Sequence, residues 1–374
     1  MRRQAYNAFM KLPGPIQRPL AQAATKYYEH KINRLQTPLV LHFFITNRCN
    51  AKCGHCFYGD ELNQVGYEMS LEEVERVARS LKHRLNSLLL TGGEPTLRKD
   101  LVDICVAFWK LNRAKTVTIP SNGLRPNENV RVVQEILQKT KMRVTMPISL
   151  DGIKEVHDTM RRVPGIFEKT IETARKLKEI SHPRLNVFFV TSVSEFNYKQ
   201  IPELMEYVQT NFDIVHKFQY VRGTGSTVFY LDKQYTNSFD PMEGFGLPPM
   251  DKLEDLDAFI NSKARKDDIS QKMNKIERAM TLSILKNKKR IARCLAGYVE
   301  GVLFPNGDVS LCELSKPVGN LKDFDFDFSR LWNSPKANEM RKPLSHCVCT
   351  HSCNLFNAVS YNPTKALEVM AGKV

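Results

Sequence analysis

Six short apolar runs recur along the middle of the chain, at residues 40–46, 87–91, 115–120, 143–150, 185–192 and 217–221. Their length and their share of β-branched and aromatic residues predict strands. Between them lie stretches in which apolar residues return every three or four positions, at 71–82, 99–111, 128–140, 165–180 and 201–211. That period predicts helices. Ser70, just ahead of Leu71-Glu72-Glu73, is suited to cap the first of them. Strand alternating with helix predicts an α/β fold, with a parallel sheet and helices outside it.

The flanks break this rhythm. Residues 1–37 form a basic preface, where Pro13, Pro15 and Pro19 predict an early break and 20–35 an amphipathic helix. Residues 222–250 are rich in Gly, Pro and aromatic residues and predict a long, substrate-facing loop. Two charged helices are expected over 250–292. Four segments follow: 1–37, a helical extension; 38–230, the α/β core; 231–292, a loop and helical bridge; and 293–374, a cysteine-bearing module.

Composition narrows the function. The 374 residues carry a net charge of +15. Residues 1–35 hold seven Lys/Arg against Glu29 alone, and residues 263–293 hold eleven against three acids. The two stretches supply +14 of the +15, so the core is nearly neutral. They read either as solvated helical faces or as a docking surface for an anionic membrane, a phosphorylated substrate or an acidic electron carrier; a nucleic acid is not expected. No run of 18 apolar residues argues for a membrane-spanning helix. Met1-Arg2-Arg3-Gln4-Ala5-Tyr6 lacks the apolar core of a secretory signal. Nine cysteines in such a chain point to metal or cluster ligation rather than a disulfide frame. The cytoplasm is the expected location, with a peripheral membrane contact left open.

The chemistry concentrates in two cysteine sets. Cys49, Cys53 and Cys56 follow the first apolar run with the spacing C-x3-C-x2-C. Three thiolates on one loop do not close a four-ligand site, whereas a [4Fe–4S] cubane held by three keeps one iron open for a small ligand. Gly92-Gly93-Glu94-Pro95 follows the second run. Glycine there lets backbone approach a ligand closely. Together these motifs resemble the radical S-adenosylmethionine (SAM) superfamily over residues 38–230.

The resemblance implies a partial (β/α)6 barrel, with its chemistry at the C-terminal ends of the strands. It implies SAM bound at the open iron and cleaved reductively to a hydrogen-abstracting 5′-deoxyadenosyl radical. It assigns Gly92, Gly93 and Glu94 to the SAM amino group. Ser121, Asn122, Ser149 and Asp151 fall to its ribose hydroxyls and carboxylate, with Asp151 suited to the ribose or to anchoring Arg161. Arg161 resembles the family's carboxylate-gripping arginine. His55 stands where an aromatic residue is usual. Arg222, after the sixth run, is a candidate substrate contact or a structural salt bridge. Cys105, in an apolar helix, reads as core.

The second set is Cys294, Cys312, Cys347, Cys349 and Cys353. Apolar arms around Asn306-Gly307 predict a β-hairpin that brings Cys294 and Cys312 together. This end of the chain resembles the SPASM/twitch domains. With five thiols it implies one auxiliary [4Fe–4S] cluster held by four of the five, Cys347 and Cys349 competing for one place. A four-cysteine zinc site is the alternative. The implied partners are a low-potential electron donor such as a flavodoxin or ferredoxin, and a small, lipid-linked or peptide substrate. A non-catalytic cluster-binding protein is the reading from another class.

Overall fold

β1 (Val40–Thr46) is the centre of the molecule. All seven of its residues are buried, and it pairs in parallel along both edges. A strand covered on both faces reads as a continuous apolar run. The computed structural model describes residues 13–64, 66–264 and 268–371, without the side chains of Ile269, Cys353 and Met370.

From one edge of β1 the sheet continues through β2 (Ser87–Gly92), β3 (Thr116–Thr118), β4 (Arg143–Ser149), β5 (Leu185–Val193) and β6 (Val215–Tyr220), all parallel. The connecting helices include α2 (Leu71–Ser80), α3 (Leu101–Ala107), α4 (Pro126–Lys139), α6 (Ile166–Glu179) and α7 (Ile201–Asn211). α2 opens on the expected Ser70: Glu73 N–H donates to Ser70 Oγ (3.3 Å) and Ser70 N–H donates to the Glu73 carboxylate (2.7 Å). Two otherwise orphaned N–H groups are satisfied this way.

The far edge, β6, is blunted by a side chain. On α9 (Ile269–Asn287), Asn274 Oδ1 accepts from Phe218 N–H (2.9 Å) and Nδ2 donates to the Phe218 carbonyl (2.8 Å). The amide thus acts as one residue of a further strand. Arg278 fixes this helix to α8 (Met250–Lys263) through Asp257, 2.6 Å away.

The C-terminal module does not form a separate sheet. β8 (Glu300–Leu303) and β9 (Asp308–Ser310) make the hairpin expected at Asn306-Gly307, with Gly307 at φ +92°. β8 then pairs in parallel with β1, Leu41 opposite Gly301 and Phe43 opposite Leu303. With β10 (Gly319–Asn320) this makes one nine-stranded sheet, ordered β10-β9-β8-β1-β2-β3-β4-β5-β6. A second, two-stranded sheet joins β7 (Val228–Phe229) to β11 (Val348–Cys349). It ties the long loop after β6 to the last cysteines.

Local expectations needed three corrections. The helix expected over 99–111 divides into α3 and a wider turn, Phe108–Asn112, that ends at Arg113 with φ +59°. α1 (Gly14–Ile32) starts among the prolines rather than after them. Pro13 is its N-cap, Pro15 lies in the first turn, where N–H groups have no helical partner, and Pro19 lies inside the helix one turn later. α5 (Glu155–Arg161) was not foreseen. It is seven residues long, lies between the positive-φ residues Lys154 and Arg162, and has no side-chain cap to announce it. No helix of the described residues is long and apolar enough to cross a membrane.

Candidate active site

Cys49, Cys53 and Cys56 leave the C-terminal end of β1 and line one cavity of about 210 Å³. Gly92, Gly93 and Glu94 form its wall after β2, and Ser121 and Asn122 after β3. Ser149 ends β4, Arg161 ends α5, and Arg222 follows β6. Every sequence-expected residue of the SAM pocket except Asp151 is therefore on this wall. Asp151 is fully buried behind Arg161. The sequence reading missed Ser192 of β5 and Gln219 of β6, whose side chains hydrogen-bond at 3.1 Å. Polar residues near the ends of two predicted strands were the available signal.

The glycines serve the cysteine loop itself. A Cβ on Gly92, whose φ is +117°, would lie 2.2 Å from the Thr46 carbonyl oxygen. A Cβ on Gly93 would lie 2.1 Å from that of Arg48. Gly93 N–H donates to Thr46 O (2.8 Å) and Glu94 N–H to Arg48 O (2.9 Å). The β2 turn and the cysteine loop thus share backbone contacts that no side chain could enter.

Glu94 is 3% exposed and organises the next strand end. Its carboxylate accepts from Thr96 Oγ1 (2.7 Å), Ser121 Oγ (3.0 Å) and the Asn122 N–H (2.9 Å). Burial pushes its carboxyl upward, against the pull of these donors. Asn122 in turn donates to Asn50 Oδ1 in the cysteine loop (2.8 Å).

The unforeseen α5 pins that loop from the other side. Lys52 N–H donates to Arg161 O (3.3 Å) and Gly54 N–H to Met160 O (3.1 Å). The Arg161 side chain grips Asp151, and its Nη1 lies 3.6 Å from Cys53 Sγ. Burial works against the Asp151 charge, yet Arg161, His55 and His157 hold its carboxyl below the ordinary range. Burial raises Cys49 to about 11 and Cys56 to about 12. Both thiols therefore hold their protons near neutral pH, and a metal bound there would displace them.

The long loop after β6 closes over the same cysteines. Met242 N–H donates to Gly54 O (2.8 Å). A Cβ on Gly54 would fall 2.6 Å from the Phe245 ring, which stacks on Phe196 at 5.0 Å.

The described thiols of the second set come together. Cys294, Cys312 and Cys349 share one apolar cluster with Phe57 and Phe239. Cys347 hydrogen-bonds to Cys349, which lowers the Cys349 thiol and raises that of Cys347. The Cys353 side chain lies outside the described residues; its backbone is in the first turn of α12 (Ser352–Ser360). A single zinc needs its thiolates within about 2.3 Å of one point. Among the described residues no three His, Cys, Asp or Glu converge in that way. A cubane instead spreads its thiolates over several irons.

Between the two sets runs a buried charge network that the sequence did not reveal. Glu313, next to Cys312, receives His42 Nδ1 of β1 (3.0 Å), His351 Nε2 (2.5 Å) and Arg222 Nη1 (3.3 Å). His42 Nε2 lies 3.3 Å from Glu300. Burial disfavours the His42 charge, but the two carboxylates raise it to about 10. Arg222 also stacks on Phe57, its guanidinium 4.2 Å from the ring centre.

Beyond Phe57 opens a trough of about 680 Å³. Cys56 and Phe57 line both it and the smaller cavity. The rings of Phe57, Phe44, Tyr58 and Phe304 form a chain with centroid spacings of 4.9–6.4 Å. Asp60, Glu61, Asp240, Asp308 and Glu313 line the trough, against Lys233 and Lys316.

Comparisons with known proteins agree with this arrangement. Residues 43–208 match the radical SAM superfamily, and residues 294–354 match SPASM, an iron–sulfur cluster-binding domain. The chain is 27% identical over 320 residues to the antilisterial bacteriocin subtilosin biosynthesis protein AlbA of Bacillus subtilis, covering 82% of this chain and 62% of AlbA. It is 29% identical over 171 residues to the sporulation killing factor maturation protein SkfB of the same organism, covering 45% and 39%. It thus spans less than two thirds of either relative. Its fold resembles that of Streptococcus suis SuiB bound to the precursor peptide SuiA, with a TM-score of 0.57, 19% identity, and 88% and 72% of the two chains covered. The chain is a radical SAM protein with a C-terminal SPASM iron–sulfur domain.

Proposed function

We propose that the protein is a radical SAM enzyme that modifies a peptide. The observation that carries this is the shared wall: Cys56 and Phe57 face both the small cavity and the trough. A ligand in the first is one side chain away from a ligand in the second.

Cys49, Cys53 and Cys56 would hold the first [4Fe–4S] cluster, and four of Cys294, Cys312, Cys347, Cys349 and Cys353 the auxiliary one. When bound, the first cluster supplies an electron for reductive cleavage of SAM, and so a hydrogen-abstracting carbon radical. The chain's own groups bind, orient and exclude water. Glu94 fixes Ser121 and Asn122 at the cavity wall. Asp151 holds Arg161 against Cys53, leaving the guanidinium edge for a carboxylate. Phe57, with Arg222 stacked on it, screens the cavity from the trough.

The trough supports a peptide over the anionic metabolite that the net charge first suggested. Besides the ion-paired Glu313, its lining carries four carboxylates against two lysines in a protein of net charge +15. Aromatic rings beside carboxylates favour a chain with cationic side chains. AlbA and SkfB, named for bacteriocin biosynthesis and killing-factor maturation, support the same reading. A one-electron donor of low potential, such as a flavodoxin or ferredoxin, is the partner this chemistry requires.

The test is anaerobic incubation of the reconstituted protein with dithionite and SAM. Formation of 5′-deoxyadenosine, lost in Cys53→Ala, is expected. A protein that carries its iron and releases no 5′-deoxyadenosine would refute the catalytic reading and leave a cluster-binding protein. Basic peptides are expected to accelerate release more than acidic ones of equal length; the reverse order would return the substrate to an anionic class.

A further inference from the structure

The inner face of α1 is occupied. Ala21 and Ile32 are buried. Tyr28 meets Tyr361 edge-on at 5.5 Å. Thr25 Oγ1 lies 3.1 Å from Thr364 Oγ1 on α13 (Pro363–Met370) and 3.3 Å from Asn362 Oδ1. The helix is therefore docked on the body of the protein, and its outward face is fixed.

That outward face is apolar along its crest. Ile16, Leu20 and Tyr27 are 52%, 48% and 54% exposed. At 3.6 residues per turn they fall within an arc of about 40°. Single exposed apolar side chains are ordinary on a protein surface. Three aligned over about three turns form a ridge. Cations lie on either side of it: Lys31 and Lys26 are exposed, about 40° and 100° around the helix from the crest, and the Lys31 ammonium lies 4.8 Å from the Tyr27 ring centre. Glu29 is the single acid among residues 1–35. Where α1 ends, Arg293 of the second basic stretch reaches Asn33 Oδ1 at 3.2 Å. The last cation of the second basic stretch thus sits at the end of α1.

We propose that the outer face of α1 docks on an anionic lipid bilayer. Ile16, Leu20 and Tyr27 enter the headgroup boundary, while Lys26 and Lys31 extend to lipid phosphates. A polyanion such as RNA would engage the cations and leave the aliphatic ridge in water. A bilayer satisfies both features at once. The helix lies in the plane of the surface and does not cross it. This docking is independent of the radical chemistry.

The test is co-sedimentation of the reconstituted full-length protein with vesicles. One set is phosphatidylcholine alone, and the other contains phosphatidylglycerol. Binding is expected only to the phosphatidylglycerol vesicles, falling at least about tenfold from low to high salt. A triple variant, Ile16→Ser, Leu20→Ser, Tyr27→Ser, is expected to bind at least about tenfold more weakly, as is Lys26→Glu with Lys31→Glu. Unchanged iron content, circular dichroism and 5′-deoxyadenosine release in both variants establish that folding and chemistry are untouched. Equal binding to neutral vesicles, or undiminished binding by the ridge variant, overturns the proposal. Capture by polyglutamate or RNA but not by anionic vesicles also overturns it and assigns the face to a polyanion.

Discussion

The Arg161 guanidinium meets the Asp151 carboxylate through two nitrogens, Nε at 2.6 Å and Nη2 at 2.5 Å, both on the same oxygen. The other carboxylate oxygen accepts from the Ser192 N–H of β5 at 2.9 Å. One buried pair therefore joins α5, the cysteine loop and the end of β5. Asp151→Asn removes the counter-charge and keeps the shape. Stranding a buried guanidinium costs about 3–5 kcal/mol. The expected result is a lowered urea midpoint, with less than additive loss when Arg161→Met is combined with it. Additive losses would show that the two do not act as a pair.

Gly93 has no room for a methyl group. Gly93→Ala is expected to displace the cysteine loop at Arg48, because the clash is with backbone rather than with a flexible side chain. Reconstituted Gly93→Ala should hold about four irons fewer than the unchanged protein, the content of one cubane. The same measurement on Cys312→Ala should show a comparable loss from the other set. Full iron content in Gly93→Ala would mean that the loop tolerates the shift.

Glu313 gathers His42, His351 and Arg222 from three separate parts of the chain. Glu313→Gln removes the buried carboxylate shared by His351, His42 and Arg222, leaving His42 with Glu300 alone, at an expected cost of about 3 kcal/mol. Arg222→Ala should cost less, because Arg222 is at the cavity wall and partly solvated. A thermodynamic cycle over the two substitutions is expected to show coupling well above the error of the measurement. No coupling would reduce the 3.3 Å contact to a coincidence of packing.

His216 makes folding sensitive to acid. Its ring is buried between Phe189 and Phe218, and Nε2 pairs with Thr191 Oγ1 at 2.7 Å. Burial lowers it from 6.5 to about 3. In that window the unfolded chain takes up a proton that the folded imidazole refuses, so stability falls as the pH drops below 6.5. The loss from this one group is roughly 2 kcal/mol by about pH 5. His42 acts in the opposite sense. Its raised value stabilises the fold below 6.5, and that contribution fades as the pH rises through about 10. His216→Phe should therefore narrow the difference between urea midpoints taken at about pH 7 and about pH 5. An unchanged difference would remove His216 as a cause.

The strand–helix alternation was legible because each strand is a short apolar run and each helix has one apolar face. Ser70 was legible because a capping box is written in adjacent residues. The cysteine loop and Gly92-Gly93 were legible as motifs, although the physical reason for the glycines is contact with the Thr46 and Arg48 carbonyls. The parts that could not be read depend on distant pairing. Nothing in Val40–Thr46 says that its second edge belongs to Glu300–Leu303. Nothing near Cys312 says that Glu313 will receive His42 and Arg222. α5 carries no cap, and Ser192 and Gln219 become neighbours only when β5 pairs with β6.

The pairing of β1 with β8 also has a temporal consequence. The strand that carries the cysteine loop is made early and finds β2 within about fifty residues, but its other edge has no partner until some 260 residues later. Until Glu300–Leu303 emerges, the nascent sheet presents an open, largely apolar edge beside three reduced thiols. Such edges are where chains misassociate. The auxiliary module is thus the last course of the wall as well as a cysteine site, and contacts this distant in sequence form slowly. A chain interrupted before residue 300 is left with the cysteine loop built on an unfinished sheet.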